Sequence, residues 1–323
     1  MCIAFQLNGY FGRNLDLETT FGEQVVLTPR HYSFPLKNGT LFKNQYAMIG
    51  MATVVENYPL YAEAMNEKGL CMAGLYFPGN ACYFPEQANK TNITPYELIP
   101  YILGQYQSVQ EVKKVIDRFH LLDIPFHEKL PLAPLHWMIA DQKESLILES
   151  TESGLQVYQD AFHILTNNPP YPYHQWNVHN YMHLTSSYPQ DHLTDQSLKP
   201  YGNGFGTIGI PGDFSPASRF VKTLWLKENA VMSEKEEKNI SQIFHILDAV
   251  AMVKGSVKTA QNQDDYTVYS CCMSMNEGAY YYKTYENNQI HCIQMKNKVS
   301  ASQLSIYPLN RQQNIQYLSL IHI

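Results

Sequence analysis

Strand-like and helix-like stretches in this sequence come in clusters, and that order restricts the fold more than any other feature. The 323-residue chain opens with a strand-like run over 2–7, a turn at Asn8-Gly9 and a return from Tyr10. Asn-Gly between two such runs is a strong hairpin signal. Further strand-like runs lie at 24–28, 46–55 and 69–77. A helical block is expected over 94–119, with Pro95 at a first helical position and a break near Gly104. It restarts at Ser108, with Glu111 three residues on as a capping box. The apolar series Val109, Val112, Val115, Ile116 and Phe119 follows. Strands are expected at 135–140, 145–149, 155–158 and 162–166, helices at 173–184, 215–228 and 239–252, and closing strands at 266–275, 278–286 and 289–294. The regular alternation of a doubly wound parallel sheet is missing. Clustered strands with helices in blocks predict an α+β chain, antiparallel sheets packed with helical layers. No Gly/Ser/Pro-rich linker divides it, so 1–323 reads as one domain.

Composition removes several classes of function. The formal net charge is -6, and no basic patch or lysine-rich run is present, so nucleic acid is not an expected partner. No stretch reaches the roughly 20 apolar residues of a membrane span. The first residues have neither a basic leader nor a long apolar core, so the expected location is the cytoplasm. The six cysteines, at 2, 71, 82, 271, 272 and 292, include no C-x-x-C pair, and free, mostly buried thiols are expected. Cys271 and Cys272 are adjacent and should face opposite sides of a strand. His174, His179 and His183 are spaced by five and four, which does not set all three on one helix face. No metal and no cofactor are expected.

Chemistry concentrates at the start of the chain. Cysteine is small enough for Met1 to be trimmed, which would leave Cys2 with a free α-amine. One residue would then hold a thiol nucleophile and, in an amine of unperturbed pKa ~8, a usable general base. The hairpin brings Arg13 and Asp16 back beside this position. A cation there favours thiolate and neutral amine, and a carboxylate can orient the amine.

These residues belong to a longer series: Met1-Cys2, Phe11-Gly12-Arg13-Asn14-Leu15-Asp16, Asn66-Glu67-Lys68-Gly69-Leu70, Leu135-His136-Trp137-Met138, Leu165-Thr166-Asn167-Asn168-Pro169, 209–220 with Pro216-Ala217-Ser218-Arg219-Phe220, and Tyr280 to Asn288. In that order, and over nearly the whole chain, they resemble the choloylglycine hydrolase family. These cysteine N-terminal nucleophile hydrolases include conjugated bile acid hydrolases and penicillin V acylases. The resemblance implies a four-layer αββα sandwich and hydrolysis of a linear amide in a small-molecule substrate. It implies Cys2 as nucleophile, flanked by Arg13 and Asp16, with Asn167 donating to the oxyanion and Arg219 supporting the site. The backbone N–H of Tyr76 is the second oxyanion donor implied. Bile salt hydrolases usually carry Asn at that position, and penicillin V acylases tend to have Tyr.

The acyl pocket implied is apolar, with walls at Leu15, Val55, Ala62, Phe126 and Leu130. Phe126 and Leu130 fall in a proline-bounded stretch, 123–131, expected to loop over the site. Glycine- or taurine-conjugated bile acids are the expected substrates. Penicillin V is the alternative that Tyr76 favours, and a non-catalytic bile acid or lipid binder is the alternative if Met1 is retained. The resemblance also implies a homotetramer.

Overall fold

The Asn8-Gly9 turn closes a two-residue hairpin, with φ of 46° and 83° at its two positions. Both angles lie in the left-handed region that the type I′ turn demands and that Asn and Gly tolerate best. Strand Cys2–Leu7 thus pairs antiparallel with Tyr10–Leu17, Cys2 opposite Leu15 and Ala4 opposite Arg13. The computed structural model describes residues 1–188, 190–296 and 299–318.

This hairpin is the middle of a six-stranded antiparallel sheet. Ile164–Leu165 lies beyond the first strand; Tyr266–Ser274, Ala279–Thr284 and His291–Gln294 follow the second. A second antiparallel sheet has eight strands, in the order Gly154–Gln159, Ser145–Thr151, Leu135–Ala140, Cys71–Tyr76, Tyr58–Asn66, Met48–Val55, Gln24–Thr28 and Ser305–Pro308. The two sheets face each other. Helices Pro216–Glu228 and Glu236–Asp248 cover the outer face of the first sheet, and Leu98–Gln105 covers the outer face of the second. The result is the αββα sandwich. On the outer side of the larger sheet, Leu98, Ile102 and Leu103 pack with Met72, Trp137 and Leu148. Burying such side chains supplies ~1.5–3 kcal/mol each, an upper figure for a chain compared with its extended form.

Alternation along Tyr10–Leu17 decides the layout of the site. Arg13 points between the sheets, where it meets Ala62, Glu63 and Gly74 of the larger sheet. Asn14 and Asp16 belong to the other face; Asn14 Nδ2 donates to the carbonyl of Leu247 in the covering helix. Cys271 and Cys272 divide in the same way. The first reaches Glu63 between the sheets, and burial pushes the thiols of both up.

Several elements differ from the sequence reading. The strand Tyr58–Asn66 was not among the expected runs; Pro59 and the charged Glu63 interrupt its apolar pattern, yet Glu63 is fully buried. The expected helix over 94–119 is two short pieces, Leu98–Gln105 and Val109–Lys113, then one 3-10 turn and a strand, Phe119–Leu121. Ser108 does cap the second piece, its hydroxyl accepting from the Glu111 N–H. The stretch 173–184 is a helix over Tyr171–Asn177 and a 3-10 turn over Val178–Tyr181; 239–252 is shifted to Glu236–Asp248. The edge strand Ser305–Pro308 was also unread. Of the apolar C-terminal run, 319–323 lie outside the described residues. No helix among the described residues is long and apolar enough to cross a membrane.

Candidate active site

Cys2 begins the first strand and is 3% exposed. Its sulfur lies 3.8 Å from Arg13 Nη2. The strands Tyr58–Asn66 and Cys71–Tyr76 are last paired at Glu63 and Ala73, and beyond that pair they part. The Arg13 guanidinium fills the opening. It donates to the carbonyls of Ala62 (2.5 Å) and Gly74 (2.7 Å) and to Glu63 Oε2 (2.6 Å). Burial works most strongly against this charge, but Glu63, Tyr269, Cys2 and Cys271 together outweigh it and keep the Arg13 pKa above its ordinary value.

On the other face of the same strand, Asp16 accepts from the Thr267 hydroxyl at 2.6 Å and lies 3.9 Å from Arg219 Nη1. Burial raises its pKa, against the opposing pull of Arg219 and of the nearby terminal amine. Arg219 comes from the helix Pro216–Glu228, whose cap Ser215 accepts from the Ser218 N–H. Its guanidinium donates to three acceptors: Phe214 O (3.0 Å), Cys2 O (2.7 Å) and Asn167 Oδ1 (2.8 Å). Burial lowers the Arg219 pKa, and Asp16 resists that shift.

Asn167 follows the edge strand Ile164–Leu165. Its Oδ1 accepts from the Cys2 N–H at 2.7 Å, and its Nδ2 donates to the Tyr76 carbonyl at 2.7 Å. These bonds settle the orientation of the amide, since Arg219 and the Cys2 N–H can only donate. Two buried histidines brace the backbone here. His136 Nε2 lies 2.9 Å from Thr166 O, and His174 Nε2 lies 3.0 Å from Asn167 O. Met1 stands over the Cys2 nitrogen. Its amine donates to Asp16 O (2.7 Å) and to Asp265 Oδ2 (3.0 Å).

Cys2, Arg13, Tyr76, Asn167 and Arg219 are therefore linked in one hydrogen-bonded cluster, and Asp16 adjoins it at 3.9 Å from Arg219. Tyr76 joins it through its backbone, while its side chain is 42% exposed. Of the expected acyl-pocket residues, Val55, Ala62, Phe126 and Leu130 line one cavity of about 300 Å³, with Tyr96 and Trp137 among its other walls. That is the low end of the usual range for small-molecule sites. Phe126 and Leu130 reach it from the segment 123–131, which carries neither strand nor helix. Leu15 is not on that wall; it is buried opposite Cys2 in the ladder. Ala62 joins the two regions, lining the cavity and giving its carbonyl to Arg13.

Glu63, Asp265, Thr267 and the two bracing histidines were not singled out as catalytic or bracing residues from sequence. Glu63 carried one usable signal, a carboxylate inside an otherwise apolar run. The others gain meaning only through contacts across the fold. His174, His179 and His183 contact three different backbone carbonyls, of Asn167, Trp176 and Ile208. No group of three His, Cys, Asp or Glu side chains among the described residues is set to hold a metal ion.

The family model described as linear amide C–N hydrolases, choloylglycine hydrolase family, matches residues 3–307. A bile salt hydrolase/transferase of Lactiplantibacillus plantarum is 44% identical over 97% of this chain and 98% of its own length. The crystal structure of a mutant conjugated bile acid hydrolase from Clostridium perfringens matches with a TM-score of 0.92 and 37% identity, covering 99% of this chain and 100% of that one. Penicillin V acylase from Agrobacterium tumefaciens shares the fold, with a TM-score of 0.75 at 16% identity, over 94% of this chain and 88% of its own.

Proposed function

We propose that this chain, which belongs to the choloylglycine hydrolase family of linear amide C–N hydrolases, cleaves conjugated bile acids through a thioester on Cys2. The observation that carries the reading is the join at Ala62. An apolar cavity suited to a steroid acyl group ends beside the arginine that touches the Cys2 sulfur. The high identity to a bile salt hydrolase/transferase over nearly the full length supports the same substrate class.

In this reading Met1 is removed, and the nitrogen now bonded to Asn167 Oδ1 becomes the α-amine. The Cys2 sulfur attacks the amide carbonyl and its proton passes to that amine. Asn167 Nδ2 carries two hydrogens. One is used by the Tyr76 carbonyl, and the second is free for the oxyanion, beside the Tyr76 N–H. The amine then protonates the departing glycine or taurine nitrogen, and water cleaves the thioester. Arg219 fixes the Cys2 carbonyl, and Arg13 sits at the sulfur. The same reading takes residues 1–323 as one catalytic domain, working in the cytoplasm as a homotetramer.

Tyr76 favours a second substrate, penicillin V. The test is hydrolysis of glycocholate, taurocholate and penicillin V side by side, by protein of known N-terminus. Faster release of glycine or taurine is the expected result. Faster cleavage of penicillin V would replace the substrate assignment. Activity of Cys2→Ala above background would remove the nucleophile, and an intact mass retaining Met1 would favour a binder. Tyr76→Asn is expected to raise the ratio of bile salt to penicillin V cleavage; an unchanged ratio would show that this position does not set the choice.

A further inference from the structure

Glu63 is fully buried and sits on the sheet opposite Cys2. Both of its carboxylate oxygens are engaged. Oε2 accepts from Arg13 Nη1 (2.6 Å) and the Tyr269 hydroxyl (2.8 Å); Oε1 accepts from the Tyr280 hydroxyl (2.6 Å) and the Cys271 thiol (3.5 Å). The donors come from three neighbouring strands of the six-stranded sheet, Tyr10–Leu17, Tyr266–Ser274 and Ala279–Thr284. A fully buried carboxylate costs a great deal to hold unless it is paired and hydrogen-bonded, and here four donors converge on one. A packing role alone is better met by an apolar side chain of similar volume.

What this carboxylate fixes is Arg13. The guanidinium has one nitrogen on Glu63 and Ala62 and the other on Gly74 and the Cys2 sulfur. A planar fork held at three acceptors cannot swing off the sulfur. The negative charge of Glu63 also subtracts from the field that Arg13 exerts on Cys2. We infer that Glu63 is a positioning residue that sets the reactivity of the Cys2 sulfur through Arg13. This rests on the reading of Cys2 as the nucleophile. The other charged groups about Cys2 are the terminal amine and Arg219, at its carbonyl, with Asp16 and Asp265 on the far face of the sheet. Those about Glu63 are Arg13 and the three donors already named. Neither Tyr269, Tyr280 nor Cys271 can supply a second positive charge, so removing the Glu63 charge leaves Arg13 unopposed.

The test is alkylation by iodoacetamide, in which the Cys2 sulfur bonds to the methylene carbon and iodide leaves. It is followed across pH on purified protein by mass spectrometry of the N-terminal peptide, which separates Cys2 from the exposed Cys292. Glu63→Gln keeps the shape and removes the charge. Its alkylation is expected to be about tenfold faster on the acid side of the profile, and the pH profile of kcat should shift in the same sense. Glu63→Asp restores the charge and should return the profile toward wild type, which a packing role does not require. If Glu63→Gln does not fold, Tyr280→Phe carries the test. It removes one donor from Glu63, strengthens the carboxylate's hold on Arg13 and should slow alkylation on the acid side. Folded variants with the wild-type alkylation profile would overturn the inference. Persistent hydrolysis by Cys2→Ala would instead overturn the functional reading, and the alkylation profiles would still decide the role of Glu63.

Discussion

The side-chain oxygen of Asn167 accepts a hydrogen bond from the backbone nitrogen of Cys2 at 2.7 Å, across 165 positions of sequence. The same oxygen takes a second bond from Arg219, so the amide nitrogen is turned toward Tyr76. Asn167 therefore orients the start of the chain, and its second amide N–H is the oxyanion donor of the proposed reaction. Asn167→Ala should lower kcat by about 100- to 1000-fold, the usual cost of one oxyanion donor. The variant should keep a wild-type circular dichroism spectrum. A loss below tenfold would remove Asn167 from the oxyanion site.

Arg219 should not be replaceable by lysine. Three acceptors lie around its planar head, at Phe214, Cys2 and Asn167. A lysine ammonium in this buried place meets at most part of that geometry and weakens the ion pair with Asp16, which then relies on the Thr267 hydroxyl. Arg219→Lys is expected to lose about 3 kcal/mol of stability in urea unfolding and to lower kcat with it. Wild-type stability would mean that charge alone, not the fork, is required.

Ala62 is the narrow join between cavity and cluster. Ala62→Leu leaves its backbone carbonyl in place for Arg13 but fills part of the 300 Å³ cavity. For glycocholate, kcat/KM should drop about tenfold or more, with a smaller loss for the slimmer phenoxyacetyl group of penicillin V. An equal loss for both substrates would place the steroid elsewhere.

His174 gives the site a dependence on acid. Burial holds its pKa below the ordinary histidine value. The unfolded chain takes up a proton near pH ~6.5 that the folded ring refuses until lower pH. The stability tied to this group is thus complete above that pH and is lost as pH falls through the lowered folded value. His174→Phe preserves stacking on Phe220, now at 4.9 Å between ring centres, and deletes the proton site. It should cost roughly 1 kcal/mol at neutral pH from the lost bond to Asn167 O. Its Tm should then fall less than that of wild type between about pH 7 and pH 5. Parallel Tm curves would show that His174 does not titrate in this window.

Local chemistry made much of this molecule readable in advance. Asn8-Gly9 specifies a hairpin because both turn positions need positive φ, and that hairpin alone carries Arg13 and Asp16 back to Cys2. Ser108 announces a helix start because its hydroxyl meets an orphan N–H group. Clustered strands gave the layered class. Two features misled. Glu63 and Pro59 broke the pattern of a real strand. The apolar series after Ser108 suggested a long helix where the chain makes one turn and changes direction.

Sequence by itself determined which residues are chemically able to act and which of them a local turn brings together. Only the tertiary structure decided on which face each one works. Alternation sends Arg13 to the thiol between the sheets and Asp16 to the opposite side, where Arg219 arrives from a helix more than 200 residues away. It also decided that a buried carboxylate at Glu63 is satisfied, because its four donors sit on strands that meet it only when the two sheets close. A charge inside an apolar run costs free energy until distant partners neutralise it, and no pattern within the run itself says where those partners are.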